Sequence, residues 1–381
     1  RRTNEIGAPA PLFEKIKNYP GGYRIFGAPL STYRRLAIAM GLKPETPTRE
    51  LQGEYERRIQ HPIKPVIVKK APCKENIITG KDVDLFRFPV PMIHDGDGGR
   101  FIGTWHVGVC KDPDSDWTNW GMYRLMVLSP KYMGGQGDTF SDQGRIFYGK
   151  FVPKNRNMPI AIAIGADPLS SLVSGASFRI GESEVDFAGG LCQNPVELVK
   201  CETNDLLVPA YSEIVLEGEI VAGVRVDEGP FGEFTGYRTP RSRQILYKVN
   251  AITHRNNPIL TMSCMGMPVD DAGLIRSIDT AVQIKRLLNQ YRIPYTDVCV
   301  PPDAGQHLAV IGIKKMYNYN VAQIQDLLCV YGRMPAAIVV DDDVDVFNMS
   351  AVMDALVTKC HPARGIKVRE GERVIPLTPY L

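Results

Sequence analysis

The sequence predicts a multidomain α+β / α/β protein: a β-rich central domain, a connecting helix and a C-terminal α/β domain. Three observations predict it. First, apolar runs separated by turn residues recur through the middle of the chain: FIGTWHVGVCKDP, WTNWGMYRLMVLSP, MPIAIAIGADP, EIVLEGEIVAGVRV, QILYKVNAITHR and PILTMSC. So many antiparallel-looking strands suggest a barrel or sandwich. Second, LIRSIDTAVQIKRLLNQY is apolar at i, i+3, i+4 and i+7, the period of a helix with one buried face. Third, TDVCVP, HLAVIGIKK and AAIVVDDD then alternate with NVAQIQDLLCVYG and SAVMDALVTK, the order of strands and helices in an α/β domain.

Taken in order, residues 1–70 read as a mixed α/β segment. It holds PLFEKIKNY, then YRRLAIAMGL stopped at Gly41, then TRELQGEYERRI behind a Thr cap. Residues 71–265 form the β domain, 266–290 the connecting helix and 291–381 the last domain, which reads as truncated. VDEGPFGEFTGY (226–237) stands apart. Gly229, Pro230 and Gly232 exclude a helix, and a strand past Val226 is disfavoured because Pro cannot donate to a ladder. Glu228 and Glu233 therefore ride on a tight, stiff loop beside Phe231 and Phe234.

Composition narrows the function classes. The chain of 381 residues is 44% apolar and 23% charged, with a net charge of +3 and no clustered basic stripe, which argues against a nucleic-acid surface. No run reaches the roughly 18 apolar residues of a membrane span, and no signal peptide is visible, so a cytoplasmic protein with no membrane partner is expected. The 8 cysteines lack zinc spacing and are expected as reduced thiols. The opening Arg1-Arg2 and the ending PLTPYL read as a trimmed view of a longer polypeptide. GGQGDT (134–139) fits neither phosphate-loop pattern, no helix is expected after it, and it reads as a flexible loop. DDDVD (341–345) reads as a solvated strand end and Asn348-Met349-Ser350 as a helix start. The histidines read as structural or exposed, and RTPRSR (238–243) as a solvated face whose arginines could meet an anion near the acidic loop.

What remains is a group of amides, acids and one arginine: Asn119, Arg124, Glu184, Glu228 and Glu233. Taken singly, each is better explained by a surface hydrogen bond or ion pair. Together, WTNWGMYRLMV, MPIAIAIGADP, ESEVDFAGGL, NPVELVKCETNDLLVPAYSEIVLEGEI and EGPFGEFTGY resemble the UbiD-like family of reversible decarboxylases, which depend on prenylated FMN. The resemblance implies an FMN-binding split β-barrel cofactor domain, joined by a helix to a C-terminal α/β oligomerisation domain.

The resemblance also implies roles for residues. Asn119 and Glu184 match ligands of a divalent metal, Mn²⁺ or Mg²⁺, that grips the flavin phosphate. Trp117 and Ser174 match positions holding K⁺. Met122, Tyr123 and Arg124 match the strand along the cofactor, with Ser141 and Asp142 also on the cofactor side. Arg124, Glu228 and Glu233 match the catalytic set, with Glu233 as proton donor. This chain departs at the third metal ligand: FSDQGRIFYG has no histidine where many members have one. Asp142 is the first replacement and Gln143 the second.

The chemistry implied explains two acids in a stiff apolar turn. Loss of CO₂ leaves a carbanion that no side chain can delocalise, so a cofactor is the electron sink and the protein returns a proton. A greasy site raises one carboxyl, while an adjacent arginine holds its partner ionised. The expected substrate is an aromatic, benzoate-type or other α,β-unsaturated acid, the expected partners a flavin prenyltransferase and further copies of the chain (a dimer or hexamer). The alternative is a non-catalytic flavin-binding or assembly subunit of a larger carboxylase complex.

Overall fold

The computed structural model describes residues 7–19, 21–266, 269–304, 307–314, 320–330 and 334–368. Its centre is a nine-stranded, curled sheet. The strands run, side by side, Phe101–Gly103, Leu125–Ser129, Tyr132–Gly135, Ser242–His254, Ile214–Glu228, Met158–Ile164, His106–Lys111 and Thr118–Gly121, with Asn76–Thr79 pairing beside Ser242–His254. Met158–Ile164 shows why the middle is fully apolar. Ile160, Ile162 and Ile164 enter one core, whereas Ala161 and Ala163 enter the core on the opposite face. Each such isoleucine contributes about 1.5–3 kcal/mol when fully buried. The sheet is the half-barrel expected of the central domain, and the α/β region follows it.

Two apolar runs that read as single strands are each broken. FIGTWHVGVCKDP becomes Phe101–Gly103 and His106–Lys111, and WTNWGMYRLMVLSP becomes Thr118–Gly121 and Leu125–Ser129. The second break matters most. Thr118–Gly121 is the last strand at one end of the sheet, whereas Leu125–Ser129 is next to last at the other. Only Met122, Tyr123 and Arg124 bridge them, so those ends lie within about 14 Å of each other. The Tyr123 ring folds back over Gly121, where a side chain would strike it. The curl of the sheet is thus brought nearly to closure at these three residues.

Other expectations are corrected. PLFEKIKNY is not helical. Leu12–Phe13 pairs with Arg24–Gly27, which runs parallel to Ile259–Met262, so PILTMSC joins a separate sheet instead of the antiparallel series. Asn18 takes a left-handed φ of 67° and Tyr19 precedes a proline, both of which oppose a helix. Tyr33–Ala39 is capped by Thr32, and Gly41 follows it with φ 70°. The helix Thr48–Ile59 starts after Pro47 with no side-chain cap, so the expected Thr cap is absent. A helix does follow GGQGDT: Asp138 Oδ1 accepts from Phe140 and Ser141 N–H, and Ser141 Oγ caps Asp142–Ile146 through Gly144 N–H at 3.1 Å. Gly134 and Gly135 close a strand. The Ile214 strand continues past Val226 to Glu228, and Phe231–Gly232 forms a short pairing with Arg238–Thr239.

The helix Asp271–Gln290 joins two cores. Leu274, Ile275, Ile278 and Val282 pack into the core beneath the N-terminal helices, and Ala281, Ile284 and Leu288 pack against the last domain. There Leu308–Ile313 pairs antiparallel with Asp297–Cys299 and parallel with Ala336–Asp341, with Val321–Val330 as the crossover helix. Asn348 caps Met349–Thr358, accepting from Ala351 N–H at 3.2 Å. No disulfide joins the cysteines among the described residues. No helix among the described residues is long and apolar enough to cross a membrane. The tail REGERVIPLTPYL lies outside the described residues.

Candidate active site

A cavity of about 840 Å³ opens where the two sheet ends meet, within the size range of sites for cofactors and small molecules. Asn119, Met122, Tyr123, Arg124, Ser141, Asp142, Ser174, Glu184 and Glu233 all line it. Glu228 stands just behind this wall, fully buried.

Arg124 is the centre of one end. It is buried, and its guanidinium grips Glu228 with two parallel bonds, Nε to Oε1 at 2.8 Å and Nη2 to Oε2 at 2.9 Å. Its remaining nitrogen, Nη1, donates to Glu233 Oε1. The expected pairing of Arg124 with one acid is therefore a fork on both, with two bonds to Glu228 and one to Glu233. Glu228 ends its strand, Gly229 takes φ 81°, and Glu233 is held by a turn in which its N–H donates to Tyr237 O at 2.8 Å. Phe231 lies beneath the guanidinium, its ring centre 5.3 Å from Arg124 Cζ.

Burial pushes the Glu233 carboxyl above the ordinary carboxylate value, against the opposing pull of Arg124 and Arg276. Burial also disfavours the Arg124 charge, but its bonds to Glu228 and the field of both carboxylates outweigh that and hold its pKa above the usual guanidinium value. Arg276, on the connecting helix, was not foreseen. It lines the cavity and stacks over Phe234 at 4.8 Å from the ring centre. A single cation inside an amphipathic helix is weak as a sequence signal, because one polar residue on such a helix ordinarily faces water.

The other end gathers Asn119, Asp142 and Glu184. Glu184 Oε2 accepts from Trp120 N–H at 2.8 Å. Burial pushes its carboxyl up to about 8, Asp142 adding to the effect while the backbone bonds oppose it. The Asp142 carboxyl is also raised by burial, against the Arg145 guanidinium at 3.1 Å. An amide and two carboxylates with raised pKa values form an oxygen donor set whose charge a hard divalent cation would stabilise. Among the described residues no cluster of three or more His, Cys, Asp or Glu suits a metal, and this set has only two such side chains beside the Asn119 amide.

The remaining candidates divide between the wall, where Ser174 stands, and positions outside it. Gln143 is buried away from the cavity, its Nε2 donating to Tyr247 Oη at 2.7 Å. Ser174 Oγ donates within reach of His106 O and Ser171 O. Trp117 is not in the cavity wall. Its indole donates to Glu182 O at 2.9 Å, and its carbonyl accepts from Asp112 N–H. The RTPRSR arginines are not in that wall either: Arg238 donates to Asp95 O and Arg243 pairs with Asp227 at 3.3 Å. In DDDVD, Asp343 pairs with Lys359 and Asp345 with Arg49, as a solvated strand end would.

Comparison with known proteins accounts for nearly the whole chain. The 3-octaprenyl-4-hydroxybenzoate carboxy-lyase N-terminal domain matches residues 1–54, its Rift-related domain 64–268 and its C-terminal domain 274–381. Pyrrole-2-carboxylic acid decarboxylase of Pseudomonas aeruginosa is 32% identical over 406 residues, covering 100% of this chain and 81% of its own. Among solved structures, the closed form of vanillic acid decarboxylase from Sedimentibacter hydroxybenzoicus has a TM-score of 0.91 at 33% identity, over 100% of this chain and 82% of its own. HmfF from Pelotomaculum thermopropionicum, a UbiD-class enzyme in complex with prFMN, has a TM-score of 0.86 at 30% identity, over 95% and 83%. The half-barrel with its cavity at the gap, the helix that joins two cores and these matches agree: the chain belongs to the UbiD family of carboxy-lyases.

Proposed function

We propose that the protein catalyses the reversible, non-oxidative decarboxylation of an aromatic, benzoate-type or other α,β-unsaturated carboxylic acid with prenylated FMN. The observation that carries this reading is the buried Arg124 fork on Glu228 and Glu233 at the wall of a cavity large enough for a flavin. Bound there, prenylated FMN supplies the electron sink for the pair left on carbon when the C–CO₂ bond breaks. Asn119, Asp142 and Glu184 would hold Mn²⁺ or Mg²⁺ for its phosphate, with Ser141 beside them. Met122 and Tyr123 would lie along its ring, and Ser174 with Trp117 would serve K⁺.

This chain's residues then divide the proton work. Glu233, whose carboxyl burial raises above its ordinary value, gives its proton to the substrate carbon and is left as a carboxylate, which takes a new proton from solvent. In the carboxylation direction the same carboxylate removes that proton. Arg124 and Glu228 fix Glu233 without exchanging protons, since a guanidinium bonded twice to one carboxylate is rigid as well as charged.

The direct test is CO₂ release from vanillate, ferulate and pyrrole-2-carboxylate by protein made together with a flavin prenyltransferase. Turnover of at least one acid is expected. Fully loaded protein that is inert on a wider panel of aromatic and α,β-unsaturated acids would favour a non-catalytic assembly subunit.

A second expectation concerns the metal. Asp142→Ala should weaken Mn²⁺ retention by about 10- to 100-fold, with flavin lost in parallel. Metal analysis of the purified variant checks it, and full metal and flavin content would remove Asp142 from the ligand set.

A further inference from the structure

The turn His94–Gly98 is laid against the loop that carries Glu233, and its contacts are unusually complete. The Asp97 side chain is fully buried and accepts from three donors: Gly232 N–H at 3.0 Å on Oδ1, His94 N–H at 2.9 Å and His94 Nδ1 at 3.2 Å on Oδ2. Gly232 is the residue before Glu233. Two glycines make the approach possible. A side chain at Gly98 would strike Gly229 O, and a Cβ at Gly232 would fall 2.6 Å from His94 Nδ1. Gly98 N–H in turn donates to Pro230 O at 2.7 Å.

His94 extends this contact in two directions. Its ring meets the edge of Phe231 at 5.7 Å between centres, and Phe231 supports the Arg124 guanidinium from below. Its Nε2 meets the carbonyl of Met265, a cavity-wall residue ahead of the helix bearing Arg276. Both ring nitrogens thus face oxygen acceptors, Asp97 Oδ2 and Met265 O. An ordinary surface turn needs none of this. A buried carboxylate in an otherwise glycine-rich turn is held only where its bonds are satisfied, and here they converge on the backbone ahead of Glu233.

We propose that Asp97 and His94 are a positioning pair that holds the Gly229–Glu233 loop in register, setting the Glu233 carboxyl against Arg124. This rests on the reading of Glu233 as proton donor. Asp97 acts through the Gly232 amide, and His94 ties that loop to the segment entering the connecting helix.

The test uses flavin-loaded protein and two readouts. Hydrogen exchange in a peptide spanning residues 229–237 should quicken by roughly tenfold or more in Asp97→Ala, because the Gly232 amide loses its acceptor. With whichever of vanillate, ferulate or pyrrole-2-carboxylate turns over fastest, kcat should fall by about 10- to 100-fold with KM nearly unchanged. Asp97→Asn, which keeps one acceptor oxygen, should recover part of both losses, and His94→Gln should be milder than Asp97→Ala. A Glu233→Gln background separates the two hypotheses. If Asp97 acts through Glu233, adding Asp97→Ala there lowers the residual rate little further. Additive losses, or unchanged exchange in the 229–237 peptide, would overturn the positioning role. Wild-type turnover in Glu233→Gln alone would instead remove the donor assignment, while the exchange result would still report on the loop.

Discussion

Glu233→Gln is expected to lower turnover by about 10²–10⁴, the usual worth of one general acid, while leaving fold and flavin binding intact. The amide keeps the shape of the carboxyl and can still meet Arg124, but it has no proton to deliver. The sign of the pH dependence follows from burial. Glu233 is raised above the ordinary carboxylate value, so its acid form persists to higher pH than an exposed glutamate would allow. In the decarboxylation direction kcat therefore falls as pH rises through that value, because the donor becomes a carboxylate. The variant should lose this alkaline limb and should fail to exchange product hydrogen with D₂O. Solvent exchange at the wild-type rate would sink the donor assignment.

Arg124→Ala should have the larger effect on stability. Removing the guanidinium leaves Glu228 fully buried with neither of its two bonds to Arg124, and breaking such a pair costs about 3–5 kcal/mol. Turnover should collapse as well, since Glu233 loses its partner on the same side. Arg124→Lys restores charge but not the planar fork, so it should recover stability in part and activity hardly at all. The double variant Arg124→Leu with Glu228→Leu separates the two losses. Two apolar side chains leave no buried charge between them, so most of the stability should return while the enzyme stays inert. Denaturant unfolding read beside kcat checks both, and an Arg124→Ala protein within about 0.5 kcal/mol of wild type would contradict the burial argument.

Strands and helices with a clear apolar period were legible in the sequence because one or both faces reach a core, as Ile160 and Ala161 do on opposite sides. The break at Met122–Arg124 was not. Apolar residues continue through WGMYRLM, and periodicity reports burial, not the moment a chain leaves one strand for another. The N-terminal segment failed for a related reason: Arg24–Gly27 finds its parallel partner at Ile259–Met262, and pairing across such a separation leaves no local mark.

The site shows the same division. Arg124 and the two glutamates were legible through long, ordered motifs shared with a family. Arg276 and Asp97 were not, because each sits in a pattern with an ordinary local explanation: a polar residue on an amphipathic helix, and a glycine-rich turn. Their chemistry becomes visible only when elements distant in sequence meet.

The pairing of Arg24–Gly27 with Ile259–Met262, reinforced by the Asp271 carboxylate on Leu30 N–H, also sets a schedule for the chain during synthesis. On the ribosome, Arg24–Gly27 must wait for its parallel partner, made more than two hundred residues later, roughly 10–50 s at ordinary translation rates. Through that interval one edge of Arg24–Gly27, which carries the buried Ile25, lacks its native partner. Nascent chains arrested before residue 259 should therefore engage chaperones through their N-terminal segment, and release should coincide with emergence of the Ile259 strand from the exit tunnel.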